Sequence, residues 1–232
     1  MRTWPVFAWL VAALVGQSAL GQSTEQSADW PQLARYRKDN ADTPPPRADE
    51  ARVVFMGDSI TDAWRADFFP GKPCVNRGIS GQTTPQMLLR FRADVIALRP
   101  RVVVILAGTN DLAGNTGKTT VEEIEGYLTS MAELARANGI RVVLASLLPV
   151  HDRAGPVSSS RPHQQIIALN AWIQAYAQRN AMTYLDYHSA MAEADQTLKR
   201  ELSDDGLHPN AAGYAVMRPL AQQAIDTALA QH

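Results

Sequence analysis

The chain has 232 residues, 46% of them hydrophobic, with a formal net charge of -1. That length suits one compact domain with a substantial core, and near-neutral charge removes the electrostatic case for nucleic-acid or anionic-membrane partners. The single cysteine, Cys74, excludes an intramolecular disulfide, a zinc ribbon and a Cys-x-x-Cys redox pair. The five histidines, at 151, 163, 188, 208 and 232, include no close metal-ligand spacing.

Residues 1–21 carry the marks of a secretory signal peptide: Arg2, a mostly apolar run from Trp4 to Val15, and small residues at Ala19 and Gly21. The run is short for a membrane anchor, the competing reading. We expect cleavage before Gln22, export to a periplasm or the medium, and no stable membrane insertion of the mature chain. Residues 22–50 follow as a polar start, a short helix opening at Asp29-Trp30-Pro31, and a stiff proline link at Thr43-Pro44-Pro45-Pro46.

Val53-Val54-Phe55-Met56 reads as a buried strand running into Gly57-Asp58-Ser59. Ile60, Ala63, Trp64, Phe68 and Phe69 make a short helical turn and an aromatic loop. Cys74-Val75-Asn76 is a second strand leading into Arg77-Gly78-Ile79-Ser80-Gly81, and Thr84-Pro85 opens a helix to Leu98. Arg101–Leu106 is the clearest buried strand and ends in Ala107-Gly108-Thr109-Asn110-Asp111. A helix capped by Thr119 or Thr120 runs to Asn138-Gly139, then come a strand over 140–148, a polar loop over 151–163 and a helix over 164–179. A weaker strand at 182–186, a helix at 189–198 and a last helix over about 210–229 complete the chain.

Strands alternating with helices imply parallel βαβ units, with helices on both faces of a five-stranded sheet in a three-layer α/β/α sandwich. A flavodoxin-like 2-1-3-4-5 strand order is the common choice for this pattern. Three consecutive strands then bring Gly57-Asp58-Ser59, Arg77-Gly78-Ile79 and Gly108-Thr109-Asn110 to one carboxyl edge, where such sheets build their sites. Asp205-Gly206-Leu207-His208-Pro209 precedes the last helix, and a short turn there can aim Asp205 and His208 at one point. Ser59 is the candidate nucleophile, His208 its base and Asp205 the acid that orients the base. The Ser59 and Gly78 backbone N–H groups and the Asn110 amide are candidate oxyanion donors. Taken singly, each of these is a turn or a loop residue; taken jointly, at these strand ends, they form an acyl-transfer site.

The blocks Gly57-Asp58-Ser59-Ile60, Asn76-Arg77-Gly78-Ile79-Ser80-Gly81, Gly108-Thr109-Asn110-Asp111 and Asp205-Gly206-Leu207-His208-Pro209 closely resemble the SGNH hydrolase superfamily, the GDSL lipases and esterases. The resemblance spans about residues 52–230 and places an SGNH hydrolase domain at 51–232. It implies the same triad and the same three oxyanion residues. Gly81-Gln82-Thr83-Thr84 is similar to the branch of platelet-activating-factor acetylhydrolase subunits. No Gly-x-Ser-x-Gly nucleophile elbow occurs.

Asp58, Trp64, His151 and His163 are candidate substrate contacts, although for Asp58 and Asp111 structural hydrogen bonding is the plainer expectation. The leading reading is an exported serine esterase that removes short acyl groups, such as acetate, from a small-molecule or carbohydrate ester, and it requires neither a metal nor an organic cofactor. Its alternatives are a lysophospholipase, thioesterase or arylesterase on longer chains, a transacylase, and a non-catalytic carbohydrate- or partner-binding module that keeps the fold.

Overall fold

Five short runs become strands. Val53–Gly57 and Val102–Leu106, central in the sheet, are fully buried and apolar because both of their faces are covered, whereas the edge strands Cys74–Gly78 and Thr183–Leu185 carry polar and partly exposed residues. The computed structural model describes residues 29–64, 69 and 72–231. The expected signal peptide, the polar start up to Ala28, and Phe68 lie outside them. The strands are β1 (Val53–Gly57), β2 (Cys74–Gly78), β3 (Val102–Leu106), β4 (Arg141–Ala145) and β5 (Thr183–Leu185). They form one parallel sheet in the order β2-β1-β3-β4-β5, the expected one.

Alternate strand residues feed two cores. Val54, Met56, Val103, Ile105, Val142 and Leu144 pack under α3 (Thr84–Asp94), α5 (Val121–Ala137) and α7 (His163–Arg179). Val53, Phe55, Val102, Val104, Val143 and Ala145 face α9 (Ala211–Ala230) on the other side. Shorter α-helices among the described residues are α1 (Arg37–Asp42), α2 (Ser59–Asp62), α4 (Thr109–Leu112), α6 (Val157–Ser160) and α8 (Tyr187–Met191). Among the described residues no helix is long and apolar enough to cross a membrane.

Two elements differ from the expectation. The first helix begins at Arg37 rather than near Pro31, because Gln32 takes a left-handed conformation (φ 56°) and the segment before Tyr36 is a run of turns. The helix expected at 189–198 stops at Met191. Asp186 caps it early through Ser189 N, and beyond it Asp195 accepts from Thr197 N while Ala192 pairs with Leu198 as an antiparallel bridge. The proline link is pinned where Arg52, itself buried, donates to the Pro44 carbonyl (2.9 Å).

Register brings the strand ends level. Gly57 lies opposite Gly78 on β2 and Leu106 on β3, so the segments after β1, β2 and β3 leave the sheet in one row. The strand order reverses between β1 and β3, which is where open α/β sheets leave a crevice.

Candidate active site

Ser59 is the first residue of α2, two residues beyond the end of β1. Asp58 caps that helix, its Oδ1 accepting from Ile60 N (3.0 Å). Two close approaches force the preceding glycine: a Cβ on Gly57 would lie 2.1 Å from Thr61 Oγ1 and 2.9 Å from the Leu106 carbonyl. Ser59 is therefore held on a tight strand-to-helix turn with its hydroxyl half-exposed.

The candidate base arrives from near the far end of the chain. Ser59 Oγ lies 2.9 Å from His208 Nε2, and His208 Nδ1 lies 2.6 Å from Asp205 Oδ2. Asp205 Oδ1 also accepts from the backbone N–H groups of Leu207 (2.9 Å) and His208 (2.8 Å). Partial desolvation works against the charged form of Asp205, but the hydrogen bonds from the His208 ring and backbone outweigh it and hold the carboxyl well below its ordinary range. An ionised Asp205 keeps the proton on Nδ1 and leaves Nε2 free to accept from Ser59. Asp205 and His208 side chains are 52% and 40% exposed, so this arm of the site is open to water.

The 203–210 turn is fixed by its neighbours. Ser203 pairs with Pro209, Asn210 caps α9 through Ala212 N and Gly213 N, and Tyr214 Oη donates to the Ile60 carbonyl (2.7 Å), tying α9 to the helix that Ser59 opens. His151 N donates to the Gly206 carbonyl (3.0 Å), and a Cβ on Gly206 would strike the His151 carbonyl at 2.0 Å.

On the other side of Ser59 the backbone donors can be counted. Gly78 N–H is engaged by Asn76 Oδ1 (2.8 Å), and a Cβ there would lie 2.2 Å from Asp62 N. Gly78 therefore packs β2 against α2 and does not present the free N–H expected of it. Ile79 N donates to the Gly57 carbonyl, Ser80 N to Asp62, Gln82 N to the Ile79 carbonyl, Thr83 N to Gln86 and Thr84 N to Asp111. Within that turn, and among the described residues, Gly81 N–H is the one left over, on a residue in the left-handed region (φ +79°). Its neighbour the Gln82 carbonyl accepts from Asn110 Nδ2 (3.1 Å), so this turn lies against Asn110. Asn110 retains its second amide hydrogen.

A buried network braces these turns. Arg90, with no exposed side chain, donates to the Gly57 carbonyl (3.1 Å), to Asp94 (3.0 Å) and to Gln82. Asn76 Nδ2 donates to the Thr61 and Trp64 carbonyls (2.6 and 2.8 Å), and Tyr36 Oη donates to the Gly78 carbonyl. Asp111 accepts from Thr84 N (3.0 Å) and Thr84 Oγ1 (2.6 Å), the structural role expected of it.

The candidate substrate contacts fall in different places. Asp58 is buried next to Ser59; Oδ2 has no partner among the described residues, and burial pushes the carboxyl up to about 6. Trp64 is buried in an aromatic cluster with Phe55, Phe69 and Tyr214 at centroid separations of 5.9, 5.5 and 5.3 Å, so its ring is core packing rather than a pocket wall. His151 and His163 line a groove of about 790 Å³ together with Asp152, Glu193 and Arg200. Arg161, which no sequence motif singled out, donates to Asn110 Oδ1 (3.3 Å) and Thr109 Oγ1 (3.2 Å). Among the described residues no cluster of His, Cys, Asp and Glu could hold a metal ion.

The model of the GDSL-like lipase/acylhydrolase family matches residues 55–216. An acylhydrolase candidate from Bacteroides fragilis, known by crystal structure, is 45% identical and superposes with a TM-score of 0.82 over 86% of this chain and 98% of that one. An acetylxylan esterase from Xylanibacter ruminicola is 25% identical over 221 residues, 78% of this chain and 44% of that protein. One from Geobacillus stearothermophilus is 24% identical over 198 residues, 72% of this chain and 90% of that protein. The chain spans less than half the length of two of the curated relatives it matches.

Proposed function

The chain belongs to the GDSL-like lipase/acylhydrolase family, its domain is that of a carboxylic ester hydrolase, and from that premise we propose that it is a serine esterase working through an acyl-enzyme on short acyl, above all acetyl, esters. The observation that carries this is the relay from Ser59 Oγ through His208 Nε2 and Nδ1 to Asp205, at 2.9 and 2.6 Å.

A serine hydroxyl is a weak nucleophile at neutral pH, and a positioned imidazole is a suited base. Ser59 Oγ attacks the ester carbonyl carbon as His208 Nε2 takes the hydroxyl proton. The carbonyl oxygen becomes an oxyanion facing the N–H of Ser59, the N–H of Gly81 and the free Nδ2 hydrogen of Asn110. Gly81 takes the place first given to Gly78, whose N–H is engaged elsewhere. The tetrahedral intermediate collapses, the C–O bond to the alcohol breaks, and His208 returns the proton to the leaving oxygen. Water then repeats the sequence on the acyl-enzyme, releasing the carboxylic acid and Ser59.

Two observations favour a short acyl group. Trp64 and Phe69, which follow the nucleophile and would suit an acyl tunnel, are buried in core packing. The acetylxylan esterase relatives support acetate on a carbohydrate. We infer export from the signal-like residues 1–21. A panel of p-nitrophenyl esters from acetate to palmitate tests the acyl preference. We expect kcat/KM to be highest at acetate; a maximum at octanoate or longer would instead favour the lysophospholipase or thioesterase reading.

A further inference from the structure

Arg161 stands between α6 and α7, half-buried and 51 residues from Asn110 in sequence. Three of its five N–H groups are engaged: Nε on Thr109 Oγ1 (3.2 Å), Nη2 on Asn110 Oδ1 (3.3 Å) and Nη1 on Ser160 Oγ (3.1 Å). The first two contacts grip consecutive residues of α4, at the end of the strand beside the nucleophile strand. We propose that Arg161 is the positioning residue of the oxyanion site, locking the Asn110 amide so that its NH2 group, not its oxygen, faces the reacting carbonyl. The proposal rests on the serine-esterase reading above.

The need for a lock comes from the amide itself. Turning an asparagine amide over exchanges its oxygen for its NH2 with almost no change of shape. A turned Asn110 would present an acceptor to a developing negative charge and would repel it. Two neighbours select the productive orientation. The Gln82 carbonyl demands a donor and receives Nδ2 (3.1 Å). The Arg161 guanidinium offers only donors and so demands the oxygen. Both demands select the same orientation, and the second comes from a charged donor, to which an amide oxygen is attracted and an amide NH2 is not.

The rest of the environment fits that task. Burial of Arg161 works against its charge, and the carboxylate of Asp58 works for it. The guanidinium thus remains a fixed cation behind Asn110, polarising the amide in the direction that strengthens its N–H donors. Lysine would not serve equally well, since an ammonium is a point charge that cannot reproduce the planar fork over Thr109 Oγ1 and Asn110 Oδ1. The competing account is an arginine that merely anchors the 156–162 segment through Ser160. That account predicts no link between Arg161 and the chemistry of Asn110.

The test compares kcat and KM for p-nitrophenyl acetate in wild type, Arg161→Ala, Asn110→Ala, the double variant and Ser59→Ala, with thermal melting as the check of fold. Arg161→Ala should lower kcat by about 10- to 100-fold with KM changed by less than about 3-fold, the signature of an interaction made in the transition state. In the Asn110→Ala background the same change should cost less than about 3-fold, because its target is gone. Added guanidinium, far below denaturing concentrations, should restore part of kcat to Arg161→Ala and none to Asn110→Ala. Arg161→Lys should remain nearer to Arg161→Ala than to wild type. Should Arg161→Ala melt below the assay temperature, Arg161→Gln carries the same comparison. A variant with wild-type kcat, an effect confined to KM, or losses that multiply in the double variant would overturn the proposal. Activity retained by Ser59→Ala would overturn the serine-esterase reading instead.

Discussion

The two halves of the site are built in opposite ways. The proposed nucleophile and oxyanion half has Ser59 partly buried and Gly81 exposed, but both rest on a buried support of Asp58, Gly78, Asn110 and the Arg90 network, held from several directions. The acid–base half, Asp205 and His208, sits on a turn with side chains 52% and 40% exposed. The division follows from the chemistry. Oxyanion donors must be placed to a fraction of an ångström and gain from exclusion of water. An imidazole that shuttles a proton needs its tautomer fixed, and Asp205 does that from the surface. The close-packed support beneath the nucleophile should therefore fail by losing the fold, and the exposed half by losing rate alone.

Gly78→Ala should produce the largest effect. Its Cβ would meet the Asp62 backbone nitrogen at 2.2 Å, so β2 and α2 must separate. We expect a loss of more than about 4 kcal/mol, in the range reserved for severe core disruption, read as collapse of the thermal midpoint. A normal melting curve would show that the two elements are not packed as described. Asp205→Asn should leave the midpoint nearly unchanged and lower kcat, though by less than the ~10⁴ that a buried triad aspartate is worth, because water reaches this carboxylate. Loss of the fold in that variant would contradict the division between the halves.

Asp58 gives a smaller effect with a definite sign. Burial raises its carboxyl from 3.8 to about 6, so the folded state binds the proton more tightly than the unfolded chain. Stability is therefore lost as pH rises through about 4 to 6, by at most about 3 kcal/mol at 1.36 kcal/mol per pKa unit. Asp58→Asn should abolish that slope, and urea melts of both proteins between pH 4 and 7 would check it. Parallel pH profiles would mean that Asp58 does not titrate in this window. Asp205 acts in the opposite sense and in stronger acid: its lowered carboxyl stabilises the fold above its ordinary range and stops doing so as pH falls below it. Gly81→Ala should cost far less stability than Gly78→Ala, because a Cβ there finds nothing nearer than 3.9 Å and only the positive φ is strained, at about 1–2 kcal/mol read from a thermal melt.

The strands and their order were legible because buried parallel strands are unbroken apolar runs, and Val102–Leu106 could be little else. Ser59, Asp205, His208 and Asn110 were legible because each sits in a short motif at a strand or helix end. The choice between Gly78 and Gly81 was not. Both lie in one glycine block, and only a count of engaged N–H groups shows that Asn76 holds the first. Trp64 looked like a pocket residue because aromatic character does not say which way a ring faces. Arg161 lay in a polar loop and acquires meaning only through contacts 51 and 52 residues away.

The central claim is that Ser59 carries the acyl group. Intact-mass measurement after treatment with a fluorophosphonate, followed by peptide mapping, tests it most directly. The account predicts a single phosphonyl adduct on Ser59, its formation slowed in His208→Ala and absent in Ser59→Ala. An adduct on another residue, or undiminished labelling of Ser59→Ala, would contradict it.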